Sequence, residues 1–153
     1  MADGGTDRTA AGELLVRDAR PADGEVIIGL LDELGYRTDA ATLASRYGRL
    51  LDDEATWIFV AERGRRVVGF ASLHVIPLLE RVPMGRLTAL VVSEGARGRG
   101  TGRALVERVQ DEARRQGCDR LEVSSGEWRR EAHAFYVSVG FQKASRRFMK
   151  AME

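Results

Sequence analysis

Cysteine is nearly absent from this sequence: Cys118 stands alone in 153 residues, so no internal disulfide can form and nothing points to an oxidising compartment. A reducing cytoplasm is the expected setting. Histidine is scarce as well, and His74 and His133 stand far apart without clustered cysteines or carboxylates, so no metal-ligand spacing can be read. An excess of one charge sign is also missing. Acidic and basic residues cancel to a formal +1, which argues against a nucleic-acid partner, because such binders carry a strongly basic balance or face. No apolar run approaches the roughly 20 residues that span a bilayer, and no membrane partner is expected. The opening MADGGTDRTAAGE lacks the basic and apolar regions of a signal peptide. Residues 1–12 read as a flexible tail and 13–153 as one domain, long enough for a single core.

What is present is a regular alternation of elements. Glu13–Asp18 is a short apolar strand, and Pro21 sits where proline opens a helix. Val26, Ile27, Leu30, Leu31 and Leu34 recur at helical spacing up to Gly35, and Leu43, Tyr47, Leu50 and Leu51 repeat the pattern. Thr56–Glu62 and Arg66–Ile76, joined by Arg63-Gly64-Arg65, predict an antiparallel hairpin. Leu87–Val92 is a further strand. A helix follows it with Leu105, Val106, Val109 and Ala113 on one face, then a strand at Leu121–Ser124, a helix through Ala132, Phe135, Tyr136 and Val139, and a last strand at Arg147–Lys150. The order β-α-α-β-β-β-α-β-α-β predicts an α/β (α+β) domain with a mixed, mostly antiparallel central sheet and helices on both faces.

Between the Leu87–Val92 strand and the next helix lie Arg97, Gly98, Arg99, Gly100, Thr101, Gly102 and Arg103. Glycines let backbone approach a ligand closely, and the free N–H groups of a first helical turn attract an anion. Such a loop suits a pyrophosphate, with the arginines as cationic forks for phosphate oxygens. It is no Walker loop, because Gly-Arg-Ala replaces Gly-Lys-Ser/Thr at 102–104. It is no dinucleotide fingerprint either, because Arg103 stands where the third glycine belongs. A repeated, disordered Arg-Gly segment of the RNA-binding kind would not be locked between two regular elements.

Arg97-x-x-Gly100-x-Gly102, followed about 30 residues on by Ala132-His133-Ala134-Phe135-Tyr136 and Gly140-Phe141, resembles the GNAT superfamily of N-acetyltransferases. The resemblance covers Glu13 to Lys150. It implies a GNAT-like fold, acetyl-coenzyme A as co-substrate with its pyrophosphate on the loop, pairing of its pantetheine arm with the backbone of Leu90, Val91 and Val92, and a possible homodimer. Val68-Gly69 through Leu73-His74, with Ser145-x-x-Phe148-x-Lys150, is similar to small-amine acetyltransferases of the aminoalkylphosphonate kind.

Acyl transfer to an amine requires a neutral nucleophile, a polarised carbonyl and a proton for the departing thiolate. By the resemblance Tyr136 stands beside the sulfur, and a phenol of pKa about 10 can protonate a thiolate whose acid has a pKa of about 8.5. A backbone N–H near Val91 is expected to hold the carbonyl. Many members of the superfamily carry a carboxylate in the strand equivalent to Leu87–Val92, and here there is none. The candidate bases are His74, on one strand face with Phe70 and Ser72, and Glu80 in the next loop; a primary amine of lowered pKa or a water chain needs no dedicated base. Asp52-Asp53-Glu54 reads as a solvated turn and His133 as structural. Three functions are compatible with these residues: acetylation of a small primary amine by direct attack in a ternary complex, acyl-coenzyme A sensing without efficient chemistry, and acetylation of a protein or peptide.

Overall fold

The computed structural model of the chain describes residues 12–126, 129–144 and 146–152. Five strands form one sheet in the order β1-β2-β3-β4-β5: β1 Leu14–Asp18, β2 Thr56–Arg63, β3 Arg66–Ile76, β4 Met84–Val92 and β5 Leu121–Val123. The first four are antiparallel neighbours, and β5 runs parallel to β4. Helices α1 (Gly24–Glu33) and α2 (Ala40–Asp52) cover one face, and α3 (Thr101–Arg115) and α4 (Arg130–Ser138) lie on the other. This is the mixed, mostly antiparallel architecture expected from the sequence, with two helices between the first two strands.

Local chemistry sets the boundaries. Pro21 opens a short 3-10 turn that leads into α1, and the Asp39 carboxylate caps α2 by accepting the Thr42 N–H at 2.9 Å. Gly64 (φ 58°) and Arg65 (φ 65°) form the two-residue turn of the β2–β3 hairpin, with the paired positive dihedrals that suit the strand twist. Two apolar cores result. Phe59, Ala71, Leu73 and Leu87 pack under Leu105, Val106, Val109 and Ala113 of α3, while Ile58, Val60, Phe70 and Val91 meet Ile27, Leu30 and Tyr47. Phe59, Leu73 and Leu105 are fully buried, each stabilising the fold by about 1.5–3 kcal/mol. Tyr47 donates its hydroxyl to the Arg20 carbonyl at 2.5 Å, and burial pushes its pKa up to about 12.

The expected last strand is not formed. Arg147–Lys150 has no regular structure, and Phe148 is 91% exposed. A strand needs a partner, and the described residues of this segment find none on the three-residue β5. Ser145 and residues 1–11, the body of the expected tail, lie outside the described residues.

Two irregularities set the shape of β4. Ser72 pairs with Ala89 but Leu73 pairs with Leu87, so Thr88 is an extra residue bulged out of the strand. In addition, β5 pairs with β4 only at Gly85, Arg86 and Leu87. From Thr88 to Val92 the outer edge of β4 has no strand beside it among the described residues.

Candidate active site

The opening between β4 and β5 is where this sheet can accept an extended ligand. The Ser93 N–H donates to the Val68 carbonyl at 2.8 Å, and strand alternation then turns Val91 and Ala89 toward β3 and turns Leu90 and Val92 to the open edge. Consistent with this, the Val92 carbonyl is met from outside by Arg97 Nε at 3.2 Å. Of the three residues expected to pair with an added strand, Leu90 and Val92 therefore offer their polar groups. Val91, expected to hold the carbonyl, is corrected: its N–H belongs to the ladder with Phe70, and its side chain is buried in the core under α1.

The glycine loop continues from this edge. Gly98 (φ 75°) and Gly100 (φ 81°) take left-handed conformations, and Gly100 caps α3 without any side-chain hydrogen bond. The first intrahelical bond runs from the Ala104 N–H to the Gly100 carbonyl at 3.0 Å. Among the described residues, none accepts from the N–H groups of Gly98 to Arg103, which are the orphan donors of a helix start. Thr101 is 1% exposed, and its hydroxyl has no partner among the described residues. Arg97, Arg99 and Arg103 surround the loop at the surface, Arg103 reaching the Ser138 carbonyl of α4 at 3.1 Å. Arg63 fixes the loop from the far side through the Arg99 carbonyl at 3.2 Å. The loop donors, the arginines and the open edge of β4 fit a phosphorylated, amide-bearing arm such as that of coenzyme A.

Helix α4 closes the site from the α3 side. Phe135 lies against the first turn of α3, where a β-carbon on Gly102 would meet its Cζ at 3.1 Å. Tyr136 is held edge-on between Phe135 and Phe141, with ring centroids 5.6 and 5.5 Å away. Burial raises its hydroxyl pKa above the ordinary phenol value, against a smaller lowering by Arg129. The phenol is therefore protonated throughout the neutral range.

On the opposite face of the sheet is a cavity of about 470 Å³, the size of a small-molecule site. Its walls are α1 (Ile27, Ile28, Leu31), α2 (Leu43, Arg46, Tyr47, Leu50) and the sheet (Thr56, Ile58, Phe70, Ser72, His74, Thr88, Ala89), with Asp53 at the end of α2. The bulge lets Thr88 and Ala89 both face the cavity, and Thr88 Oγ1 bonds Ser72 Oγ at 2.9 Å. Phe70, Ser72 and His74 share this face, as the alternation in β3 predicts. The cavity thus touches the strand whose next residues, Leu90 and Val92, present the open edge.

His74 enters a chain of polar contacts there. Thr56 Oγ1 donates to Asp53 Oδ2 at 2.6 Å and lies 3.1 Å from His74 Nδ1, and His74 Nδ1 is 3.9 Å from Asp53 Oδ2. The threonine has one hydroxyl hydrogen. Spending it on Asp53 leaves its oxygen as an acceptor, and a neutral His74 ring that donates Nδ1–H to that oxygen has its lone pair at Nε2. The Thr56 hydroxyl and the Ala55 N–H hold the Asp53 carboxyl below its ordinary range. Asp53, read from sequence as part of a solvated turn, is exposed there as expected and in addition lines the cavity. Glu80 is exposed in the loop after β3 and does not line the cavity; His133 and Cys118 do not line it either. Burial pushes the Cys118 thiol up, away from the reactive thiolate.

Sequence reasoning missed Arg46, Asp53, Thr56 and Thr88. Only Arg46 had a readable signal, a cation on an otherwise apolar helical stripe.

The sheet, the loop and the two helix layers agree with what is found by comparison. Residues 25–141 match the acetyltransferase (GNAT) family, and the chain belongs to that family. It is 31% identical over 139 residues to the aminoalkylphosphonate N-acetyltransferase of Salmonella typhimurium, covering 90% of both chains. It is 31% identical over 136 residues to the aminoglycoside N(6')-acetyltransferase type 1 of Stenotrophomonas maltophilia, covering 86% of this chain and 88% of that enzyme. In fold it is similar to an aminoglycoside N-acetyltransferase solved with coenzyme A, at a TM-score of 0.85 and 17% identity over 92% of this chain and 95% of that one. The chain is an acetyltransferase, and its co-substrate is acetyl-coenzyme A.

Proposed function

We propose that this acetyltransferase moves the acetyl group to the primary amine of a small molecule, by direct attack while both substrates are bound. The observation that carries this reading is the position of the cavity. It is of small-molecule size, and Thr88 and Ala89 in its wall lead directly into the open edge of β4. An amine in the cavity and a thioester along that edge can meet at the bulge without an enzyme-bound acyl group. Cys118, with its raised pKa and no place in the cavity, offers no nucleophile for a covalent route.

Acetyl-coenzyme A supplies the activated thioester. The N–H groups of Gly98 to Arg103, with Arg97, Arg99 and Arg103, are proposed to hold its phosphates, and Leu90 and Val92 to align its arm. With Val91 committed to β3, the outward N–H of Leu90 is the better donor to the carbonyl. His74 Nε2 is the proposed base for the amine proton; Glu80, outside the cavity, is less well supported. Tyr136 is the proposed acid for the departing thiolate, kept protonated by its burial.

The names of the relatives support small amines as acceptors, aminoalkylphosphonates in one case and aminoglycosides in the other. A cytoplasmic setting belongs to the same reading, supported by the lone cysteine. So does a homodimer, supported by the exposed Phe148 and Met149 near the C-terminal end. The test is a thiol-release assay with alkylamines, aminoalkylphosphonates, aminoglycosides and lysine peptides, with both substrates varied. Intersecting double-reciprocal lines with a small amine are expected. Parallel lines would point to an acyl-enzyme, and release with peptides alone would replace the small-molecule reading.

A further inference from the structure

Helix α2 turns the stripe Leu43, Arg46, Tyr47 and Leu50 to the cavity, at the i, i+3, i+4, i+7 spacing of a core-facing helix. Such a stripe should be apolar throughout. At its second position stands an arginine, and this arginine pairs with no carboxylate among the described residues, unlike Arg17 and Arg108. The cavity has one other charged wall residue, Asp53, two helical turns further on, about 10 Å along the helix axis. The rest of the lining is mostly aliphatic and aromatic, with Ile27, Ile28, Leu31, Ile58 and Phe70 among it.

We infer that Arg46 is a specificity residue that binds an anionic group of the acceptor, so that the enzyme selects small amines carrying a phosphonate, phosphate or carboxylate. This rests on the small-amine reading above and deepens it. Arg46 lines the cavity while itself exposed, so it can reach such an anion from the wall and hold it through a charge-assisted, two-pronged hydrogen bond. The same cation repels a second ammonium group. A polyamine or aminoglycoside would require several carboxylates, and the cavity wall supplies one, already engaged by Thr56 and Ala55. A plain alkylamine would fill the apolar wall and leave Arg46 without a partner.

The experiment compares kcat/KM of the native enzyme, Arg46→Gln and Arg46→Glu for four acceptors of matched length: an ω-aminoalkylphosphonate, the corresponding amino carboxylate, an alkylamine and an α,ω-diamine. The native enzyme is expected to prefer an anionic acceptor over the diamine. Arg46→Gln should lower kcat/KM for the anionic acceptors by about 10- to 100-fold, the worth of one hydrogen bond to a charged group, and leave the alkylamine within about twofold. Arg46→Glu should turn the preference toward the diamine. The relative rates of phosphonate and carboxylate tell which anion is read. Binding of acetyl-coenzyme A, followed by calorimetry, should not change in either variant, which separates lost selectivity from lost folding. Equal losses for all four acceptors, or native preference for the diamine, would overturn the role of Arg46 while the small-amine reading stood. Thiol release with none of the four, from enzyme that binds acetyl-coenzyme A, would overturn both.

Discussion

His74 Nδ1 lies 3.1 Å from Thr56 Oγ1 across the β2–β3 pair, and that contact determines which ring nitrogen is free. Because the threonine hydrogen goes to Asp53, Nε2 is the nitrogen left to accept a proton. His74→Gln should lower kcat by about 100-fold, the lower end of what a general base contributes, with acetyl-coenzyme A affinity intact. Thr56→Val removes the acceptor for Nδ1–H while preserving shape, and a roughly tenfold loss in kcat is expected, about 1.4 kcal/mol of barrier. Steady-state thiol release with calorimetric cofactor binding measures both. Unchanged kcat in His74→Gln would leave base catalysis to water or to the amine's own pKa.

Tyr136 is the proposed donor of the opposite proton. Its folded-state pKa is raised by burial, so the protonated phenol is favoured in the folded chain. The associated stability is fully present below the unfolded value of about 10 and is lost only as the pH rises through the folded value. The alkaline limb of kcat due to this group is accordingly expected above about pH 10. Tyr136→Phe should lower kcat by about 10- to 100-fold with little effect on cofactor affinity, because Phe135 and Phe141 still hold the ring. A pH profile of kcat for native and variant enzyme decides it.

Some of this site could be read from the letters because its chemistry is local in the chain. The run from Arg97 to Arg103 combines glycine, cation and helix start in seven consecutive residues, and Phe135-Tyr136 comes after it at a recognisable spacing. The cavity is different. Asp53, Thr56 and His74 meet only because the Gly64-Arg65 turn and a one-residue register shift between Ala61 and Glu62 together place Thr56 opposite His74; the turn alone would set it opposite Leu73. Composition reports none of that. Nor does the bulge at Thr88 leave a mark, since an extra residue in one strand is defined by its partner strand. The misplaced carbonyl donor has the same cause: whether Val91 or Leu90 faces outward depends on pairing phase, which a run of apolar residues does not encode. Arg147–Lys150 failed as a strand because alternation states a tendency, and the edge that would pair with it is not a property of the segment.

Gly100 tests the loop directly. At φ 81° a β-carbon is unfavourable even though the space around it is open, so Gly100→Ala should cost about 1–2 kcal/mol or force the loop to rotate. Either outcome misaims the free N–H groups of α3, and the Kd for acetyl-coenzyme A should rise by about tenfold or more. Gly95→Ala is the control. It lies in the preceding 3-10 turn with open space and no positive φ, and should leave affinity and stability within about twofold and 0.5 kcal/mol. Calorimetric titration of the two variants separates backbone conformation from simple loss of a glycine.

The cavity also depends on an ion network outside it. Arg17 holds Asp23 with two hydrogen bonds of 2.8 and 2.9 Å and Glu62 with two more, and Asp23 accepts the Arg20 N–H at 2.7 Å. These bonds anchor the start of α1, whose Ile27, Ile28 and Leu31 form a cavity wall. The Arg17 guanidinium holds the Asp23 carboxyl below its ordinary range, against the opposing effect of burial. A depressed folded pKa stabilises the fold above the unfolded value near 4, and that stability is lost as the pH falls through the folded value. Asp23→Asn removes the charge and leaves Arg17 with Glu62 alone, so a loss of about 1.5–3 kcal/mol is expected at pH 7. Urea unfolding at pH 7 and pH 3 should show the native protein losing stability toward acid and the variant losing less. If α1 is positioned through this anchor, the variant should also raise KM for the amine more than it weakens acetyl-coenzyme A binding, because α1 lines the cavity and makes no part of the Gly98–Arg103 loop.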